Sequence, residues 1–159
     1  MTENIQEQRV GVVLAGGLGT RLRSVVDNLP KCMAPVAGHP FLYYLFRYMQ
    51  RQRFARVVLA LGYLHEMVEQ WVSETEWGFR VEFSVEQTPL GTGGAIKQAL
   101  KQINEHQVFV LNGDTFFDVD LDRMERLHNS THAELTLALK PMTNFSRYGT
   151  VICDRNYRI

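Results

Sequence analysis

Three clusters of residues in this chain are suited to holding a phosphorylated ligand, and the first is rich in glycine. Leu14–Leu22 reads L-A-G-G-L-G-T-R-L, and Pro30 and Lys31 follow. Glycines directly after a buried strand let backbone amides approach an anion closely, and the Arg21 guanidinium offers a fork of donors suited to phosphate oxygens. The cluster lacks the G-K-[ST] ending of a P-loop, and Leu22 replaces the third glycine of G-x-G-x-x-G. By itself, such a turn could also be only a tight strand-to-helix connection.

The second cluster, Glu86–Ala95, reads E-Q-T-P-L-G-T-G-G-A and joins a predicted strand to a predicted helix. Glycines at the start of a helix leave amide donors unpaired, and the positive end of the helix dipole faces the same way. This arrangement favours an anion or a polar ligand. The alternative is that Thr92 merely caps a helix in a tight turn.

The third cluster, Leu111–Asp114, reads L-N-G-D and closes a predicted buried strand. A carboxylate at the carboxyl end of a central strand can hold a hard cation that bridges phosphates, which makes Asp114 the candidate metal ligand. The alternative is that Asp114 caps a turn or a helix. Nearby, Asp118 and Asp120 resemble the start of a calcium loop, but the later positions do not fit that loop, so we expect this segment to begin a helix.

The elements that must position these clusters alternate between strands and helices. Short apolar runs predict buried strands, and helical spacing predicts amphipathic helices between them. The predicted strands are Val10–Ala15, Arg56–Leu61, Val81–Val85, Gln107–Leu111 and Glu134–Leu139, with another beginning near Thr150; the predicted helices run over 41–49, 65–72 and 95–103. This order is typical of an α/β fold with a mostly parallel sheet, in which ligands bind at the carboxyl ends of the strands. All three clusters lie at such ends.

Composition restricts the class of protein. The chain is 45% apolar and 21% charged, with 17 basic and 17 acidic residues, so we expect neither a nucleic acid nor a membrane as partner. No apolar run approaches the roughly 20 residues that span a bilayer, and the first eight residues are too polar for a signal peptide. Cys32 and Cys153 are predicted to be reduced and buried. We expect a single cytoplasmic domain over residues 1–159.

The motifs L-A-G-G-L-G-T-R-L and P-K-C-M-A-P-V together resemble the signature of the sugar-1-phosphate nucleotidyltransferases. The resemblance implies a three-layer, Rossmann-like fold with a mixed, mostly parallel sheet. It also implies that Arg21 holds the pyrophosphate leaving group, that Lys31 contacts the phosphates nearer the reaction centre, and that Asp114 binds Mg²⁺. The substrates would be a nucleoside triphosphate and a sugar 1-phosphate, and a homo-oligomer is left open.

The resemblance also assigns roles to residues outside this catalytic set. The nucleotide-binding residues it implies are Leu14, Ala15, Gly16, Gly17, Gly19, Thr20, Arg21, Glu86, Gln87, Gly93 and Asn112. Gly113 and Gly149 would contact the sugar. The stretch R-L-R-S-V-V-D-N-L-P-K is most similar to the branch that transfers GMP to heptose or mannose 1-phosphates. Such an enzyme would serve nucleotide-sugar biosynthesis for lipopolysaccharide or another cell-surface polysaccharide.

Two further features of the family are not matched in this chain. Members carry a later lysine for the sugar phosphate and a second metal-binding aspartate, and neither is found before Ile159. We therefore expect a C-terminally shortened form that binds nucleotide weakly and turns over little. Two other functions stay open from the sequence: a regulatory nucleotide-binding module without turnover, and a metal-dependent glycosyltransferase that uses Asp118 and Asp120.

Overall fold

The computed structural model describes residues 8–17, 29–143 and 149–159. The chain divides into two compact units, Met1–Phe117 and Asp118–Ile159. The first unit contains β1 (Arg9–Leu14), β2 (Pro35–Val36), β3 (His39–Pro40), α1 (Phe41–Arg51), β4 (Phe54–Leu61), α2 (His65–Ser73), β5 (Arg80–Val85), α3 (Gly91–Leu100) and β6 (Phe109–Asn112), with a 3-10 helix at Lys31–Met33. The second contains α4 (Leu121–Thr131).

Four parallel strands form the central sheet of the first unit in the order β5-β4-β1-β6. β1 and β4 occupy the centre, and their Val-rich runs are buried because helices cover both faces. Antiparallel pairing among the described residues occurs only in the separate β2–β3 ribbon. The structure confirms the predicted α/β class and the mostly parallel sheet.

Helices cover the sheet as two layers. On one face, Ala95 and Ala99 of α3 pack against Val12, Val58 and Ala60. Residue 11, which points to the other face because strand side chains alternate, is a glycine, and Met49 of α1 approaches β1 there. α2 lies on the α1 side, since the rings of Trp71 and Phe46 have centroids 5.8 Å apart. The three-layer arrangement follows.

Two glutamine side chains, one in α3 and one just after it, contact the outer edge of β5. Gln98 Nε2 donates to Val85 O at 2.8 Å, and Gln102 Nε2, just beyond the helix, donates to Phe83 O at 3.1 Å. These carbonyls belong to alternate residues of an edge strand, so both point away from β4. α3 is thereby fixed both to the face of the sheet and to its edge.

The second unit confirms one expectation and contradicts two. The Asp120 side chain accepts from Arg123 N at 2.9 Å and caps α4, as expected for a segment that begins a helix. The strand predicted over Glu134–Leu139 is wrong, and so is the one predicted near Thr150. Neither segment is paired with a described strand, and Leu135, Leu137 and Leu139 are exposed. Alternating hydrophobicity indicates a face but supplies no neighbouring strand.

Two further sequence expectations concern the cysteines and membrane-spanning segments. Both cysteines are free thiols, and Cys32 is buried as expected, but Cys153 is exposed, so its predicted burial is wrong. Among the helices in the described part of the chain, none is both long and apolar enough to cross a bilayer.

Candidate functional site

A cavity of about 720 Å³ lies at the carboxyl ends of the four parallel strands of the first unit. Every strand of the sheet contributes to its walls through its last residues or through the loop that follows. The lining residues are Leu14, Gly16, Gly17, Ala60, Gly62, Tyr63, Leu64, His65, Glu66, Val85, Glu86, Gln87, Thr88, Pro89, Gly91, Thr92, Ala95, Asn112 and Asp114. A concave space of this size is typical of a small-molecule site.

Strand order explains why the cavity forms at this edge. The chain passes from β1 to β4 and then to β5 in one direction, and β6 returns to pair with the other side of β1. The strand order therefore reverses beside β1. Ligands of open parallel sheets bind at the carboxyl ends of the strands, where the strand order reverses.

Close backbone contacts hold the loops around the cavity. A Cβ atom on Gly62 would lie 2.9 Å from Gly16 O, and one on Gly113 would lie 2.9 Å from Leu14 O. Gly113 N donates to Leu14 O at 2.8 Å, and Ala15 N donates to Ala60 O at 2.9 Å. The glycines after β4 and β6 are therefore needed where those loops touch the loop after β1.

Lys31 and Asp114, which are 83 residues apart in the chain, form an ion pair at the cavity. The ammonium donates to Oδ2 of the carboxylate, while Thr115 Oγ1 donates to Oδ1 at 3.1 Å. Lys31 lies in the 3-10 helix after Pro30, and Asp114 follows the end of β6. Both side chains remain about one third exposed, so a ligand in the cavity can reach the pair.

The pair alters the protonation of its surroundings. Partial burial raises the pKa of Asp114, but the hydrogen bond and the charge of Lys31, together with the Thr115 hydroxyl, hold that pKa below its usual value. Burial raises the pKa of the adjacent Cys32 thiol to about 12. Asp114 is therefore an anion near neutral pH, and Cys32 stays a neutral thiol that contributes to packing.

The Glu86 carboxylate bridges the two ends of the segment that follows β5. Glu86 Oε2 accepts from Leu90 N at 2.9 Å, and Glu86 N donates to Leu61 O at 2.8 Å. α3 then begins at Gly91 without a side-chain cap, so Thr92 does not cap the helix. Gln87 lies exposed on the cavity wall.

The structure places seven of the sequence-predicted site residues on the walls of this cavity. The cavity is lined by Leu14, Gly16, Gly17, Glu86, Gln87, Asn112 and Asp114. Ala15 lies between lining residues, whereas Gly93 is exposed on the first turn of α3 and Gly113 is buried beside Leu14. Gly149 is exposed in the second unit. Gly19, Thr20 and Arg21 lie outside the described residues. The roles of all these residues stay predictions.

A family model described as Nucleotidyl transferase matches residues 10–159. This chain belongs to the nucleotidyl transferase family. The match covers both clusters of the cavity that were recognised from glycine patterns and the carboxylate at the end of β6. It also extends through the second unit.

Individual relatives are similar to this chain over most of its length. It is 53% identical over 141 residues to the D-glycero-alpha-D-manno-heptose 1-phosphate guanylyltransferase of Aneurinibacillus thermoaerophilus, covering 89% of this chain and 61% of the relative. The protein of the same name from Campylobacter jejuni is 45% identical, with 90% and 62% covered. The chain therefore spans about three fifths of the length of these curated relatives.

A solved structure supports the fold. HddC from Yersinia pseudotuberculosis, in complex with GMP-PN, matches with a TM-score of 0.70 and 40% identity. The match covers 76% of this chain and 54% of that one. The Rossmann-like nucleotidyltransferase fold expected from the motifs is thus confirmed.

One wall of the cavity was missed from the sequence. Tyr63 and Leu64 connect β4 to α2, His65 and Glu66 begin α2, and all four line the cavity. The His65 ring lies between Glu66 and Glu69 with N···O distances of 3.2 and 2.9 Å. The available signal was Gly62, which follows a buried strand as Gly16 follows β1. A glycine in that position marks a close approach of two loops.

The single carboxylate of Asp114 is compatible with Mg²⁺. Among the described residues no group of three or more His, Cys, Asp or Glu side chains is arranged to hold a metal. Mg²⁺ does not need such a group, because it is usually bound by one or two carboxylates while phosphates and water complete its shell. Asp114 is an accessible carboxylate on the cavity wall and meets that requirement.

Proposed function

We propose that this chain is the nucleotide-binding part of an enzyme that transfers a nucleotidyl group to a sugar 1-phosphate and releases pyrophosphate. The observation that carries the proposal is the convergence of the three clusters on one cavity, where Gly16, Gln87 and Asp114 lie on its walls. The names of the guanylyltransferase relatives favour GMP from GTP as the transferred group. The same names favour a heptose 1-phosphate as acceptor, with mannose 1-phosphate second.

Different residues of the cavity would contact the phosphates, the base and the sugar. The loop after β1 would wrap the triphosphate, with Arg21 and Lys31 on the phosphates, because amides and cations complement phosphate charge. Gln87 and the start of α3 would contact the base at the opposite wall. Asn112, at the end of β6, would lie between the two ends, and Gly113 and Gly149 would contact the sugar.

The reaction needs no general base. A sugar phosphate is already ionised near neutral pH, so one of its oxygens can attack the α-phosphorus while pyrophosphate leaves on the other side. The protein's part is to align the two substrates and to neutralise charge on the phosphates. A Mg²⁺ ion bound at Asp114 would neutralise further phosphate charge. Lys31 would leave Asp114 for the phosphates when the nucleotide binds.

The setting of this activity follows from the proposed product. A nucleotide-activated heptose or mannose is a donor for lipopolysaccharide or other cell-surface polysaccharide, and its synthesis from GTP belongs in the cytoplasm. A glycosyltransferase that uses Asp118 and Asp120 is less well supported, because the Asp120 carboxylate already caps α4.

Pyrophosphate release tests the proposal directly. The protein is incubated with GTP, Mg²⁺ and either heptose 1-phosphate or mannose 1-phosphate, and ATP replaces GTP in a control. In a form that extends over the full length of the curated relatives, we expect release that requires both substrates, whereas the 159-residue chain alone should turn over little. In that longer form, Lys31→Ala and Asp114→Asn should each lower kcat about a hundredfold with a smaller effect on affinity, since one charge-stabilising group is worth about 3 kcal/mol in the transition state.

Two outcomes would contradict parts of this proposal. Binding of GTP by the longer form without any release of pyrophosphate would support a regulatory nucleotide-binding module. Near wild-type kcat in both variants would remove Lys31 and Asp114 from the chemistry.

A further inference from the structure

We infer that Glu86 is a positioning residue, whose carboxylate holds the Glu86–Leu90 segment and the start of α3 in the shape that receives the base. It does not itself read the base, although a carboxylate could in principle accept from the amino group of guanine. This inference rests on the proposed function, since it concerns the base end of the same cavity.

The segment is fixed at both of its ends by the same residue. The Glu86 amide donates to Leu61 O at the end of β4, and the Glu86 carboxylate accepts from the Leu90 amide four residues later. A hydrogen bond to a charged acceptor is stronger than a neutral one, and the amide of Leu90 is 2.9 Å from Oε2. One carboxylate oxygen is thus engaged within the loop before any ligand arrives.

The position of this bond matters because it immediately precedes α3. Gly91, the first residue of the helix, has a φ of +69°, and the helix N-terminus has no side-chain cap. Gly91 and Thr92 line the cavity. Glycine is free to leave this conformation, so the preceding Leu90 amide must be held if the first turn is to keep its place. Glu86 provides that hold.

Gln87 differs from Glu86 in the way that a base-reading residue requires. It is exposed on the cavity wall, and its side chain forms no hydrogen bond within the described part of the chain. Its amide offers both donors and an acceptor, which suits the polar edge of a base. The structure therefore divides the work between neighbours: Glu86 shapes the loop and Gln87 contacts the ligand.

Hydrogen exchange of the Leu90 amide in the nucleotide-free, 159-residue protein tests the positioning role first. Glu86→Ala removes the acceptor, and the matched control Glu86→Gln keeps an oxygen at the same reach. We expect the Leu90 amide to exchange at least about tenfold faster in Glu86→Ala and at nearly the wild-type rate in Glu86→Gln, because exchange follows local opening. An unchanged rate in Glu86→Ala would overturn the inference.

Calorimetry with GTP and with ITP, whose base lacks the amino group, then separates positioning from reading. We expect Glu86→Ala to weaken both nucleotides by the same factor, about tenfold, and Glu86→Gln to bind both nearly as wild type does. Gln87→Ala should weaken both without changing exchange at Leu90. If Glu86→Ala weakened GTP and left ITP unaffected, the carboxylate would be reading the base and the inference would be wrong.

Hydrogen exchange and calorimetry together also distinguish a failure of this inference from a failure of the proposed function. If the wild-type protein bound neither nucleotide, the proposed function would fail. The exchange rates of the Glu86 variants would still decide whether the carboxylate holds the segment.

Discussion

Gly62→Ala tests how tightly the loops around the cavity are packed. A methyl group at residue 62 would lie 2.9 Å from Gly16 O and 3.5 Å from Gly16 Cα, whereas ordinary contacts of a Cβ atom begin near 3.4 Å. The loops after β1 and β4 would have to separate by about half an ångström. Both are backbone segments at the ends of buried central strands, so neither can yield by a rotamer change.

The expected cost is that of overpacking, about 1–3 kcal/mol in the free energy of unfolding. For a chain of this size, each kcal/mol lowers the melting temperature by roughly 2–4 °C. Because the displaced loop is the one proposed to wrap the triphosphate, GTP affinity should also fall, by about tenfold. Thermal unfolding and calorimetry measure the two effects on the same sample.

Gly93→Ala is the matched control, because a Cβ atom there meets nothing within 4 Å. That variant should be as stable as wild type or up to about 1 kcal/mol more stable, since alanine favours a helix over glycine. If Gly62→Ala melted within a degree of wild type and bound GTP equally well, the close contact between the two loops would not exist in solution.

Two further predictions concern the reactivity of the two thiols and the ion pair between Arg56 and Glu82. In native protein at pH 8, a disulfide reagent should modify Cys153 rapidly and leave Cys32 untouched, since burial raises the Cys32 pKa to about 12, and both should react after denaturation; two fast thiols in the native state would contradict the packing. Glu82→Gln should lower the free energy of unfolding by about 1–3 kcal/mol, because Arg56 Nη2 donates to this half-buried carboxylate at 2.7 Å. GTP affinity should not change, because the pair lies toward the amino ends of the strands, and a weakened affinity would show that the two ends are coupled.

The sequence predicted the central elements because their signals are local. β1 and β4 are short apolar runs bounded by turn residues, and α1 shows an apolar face at helical spacing. In each of them the apolar residues that form the pattern are largely buried, so the pattern and the tertiary environment agree. For the same reason the sequence correctly predicted that the loops after β1, β5 and β6 lie at one edge of the sheet.

Failures of prediction arose where the outcome depended on distant residues. The Glu134–Leu139 alternation indicated a strand, but pairing is what makes a strand, and no local pattern specifies a partner. The Lys31–Asp114 ion pair joins two loops 83 residues apart, so the motifs suggested a shared site but not a direct contact. The Tyr63–Glu66 wall carries no phosphate-binding pattern and became visible only as the lining of the cavity.

Gln98 and Gln102 have a consequence for how copies of this protein meet. An exposed edge strand offers its free carbonyls and amides as a template on which another chain can add a strand, which is a common first step in aggregation. At β5, two outward carbonyls already accept from side-chain amides of α3 and the residues that follow it. An incoming strand would have to displace both glutamines before it could form a ladder. Substituting both by alanine would open that template and should increase self-association through β5.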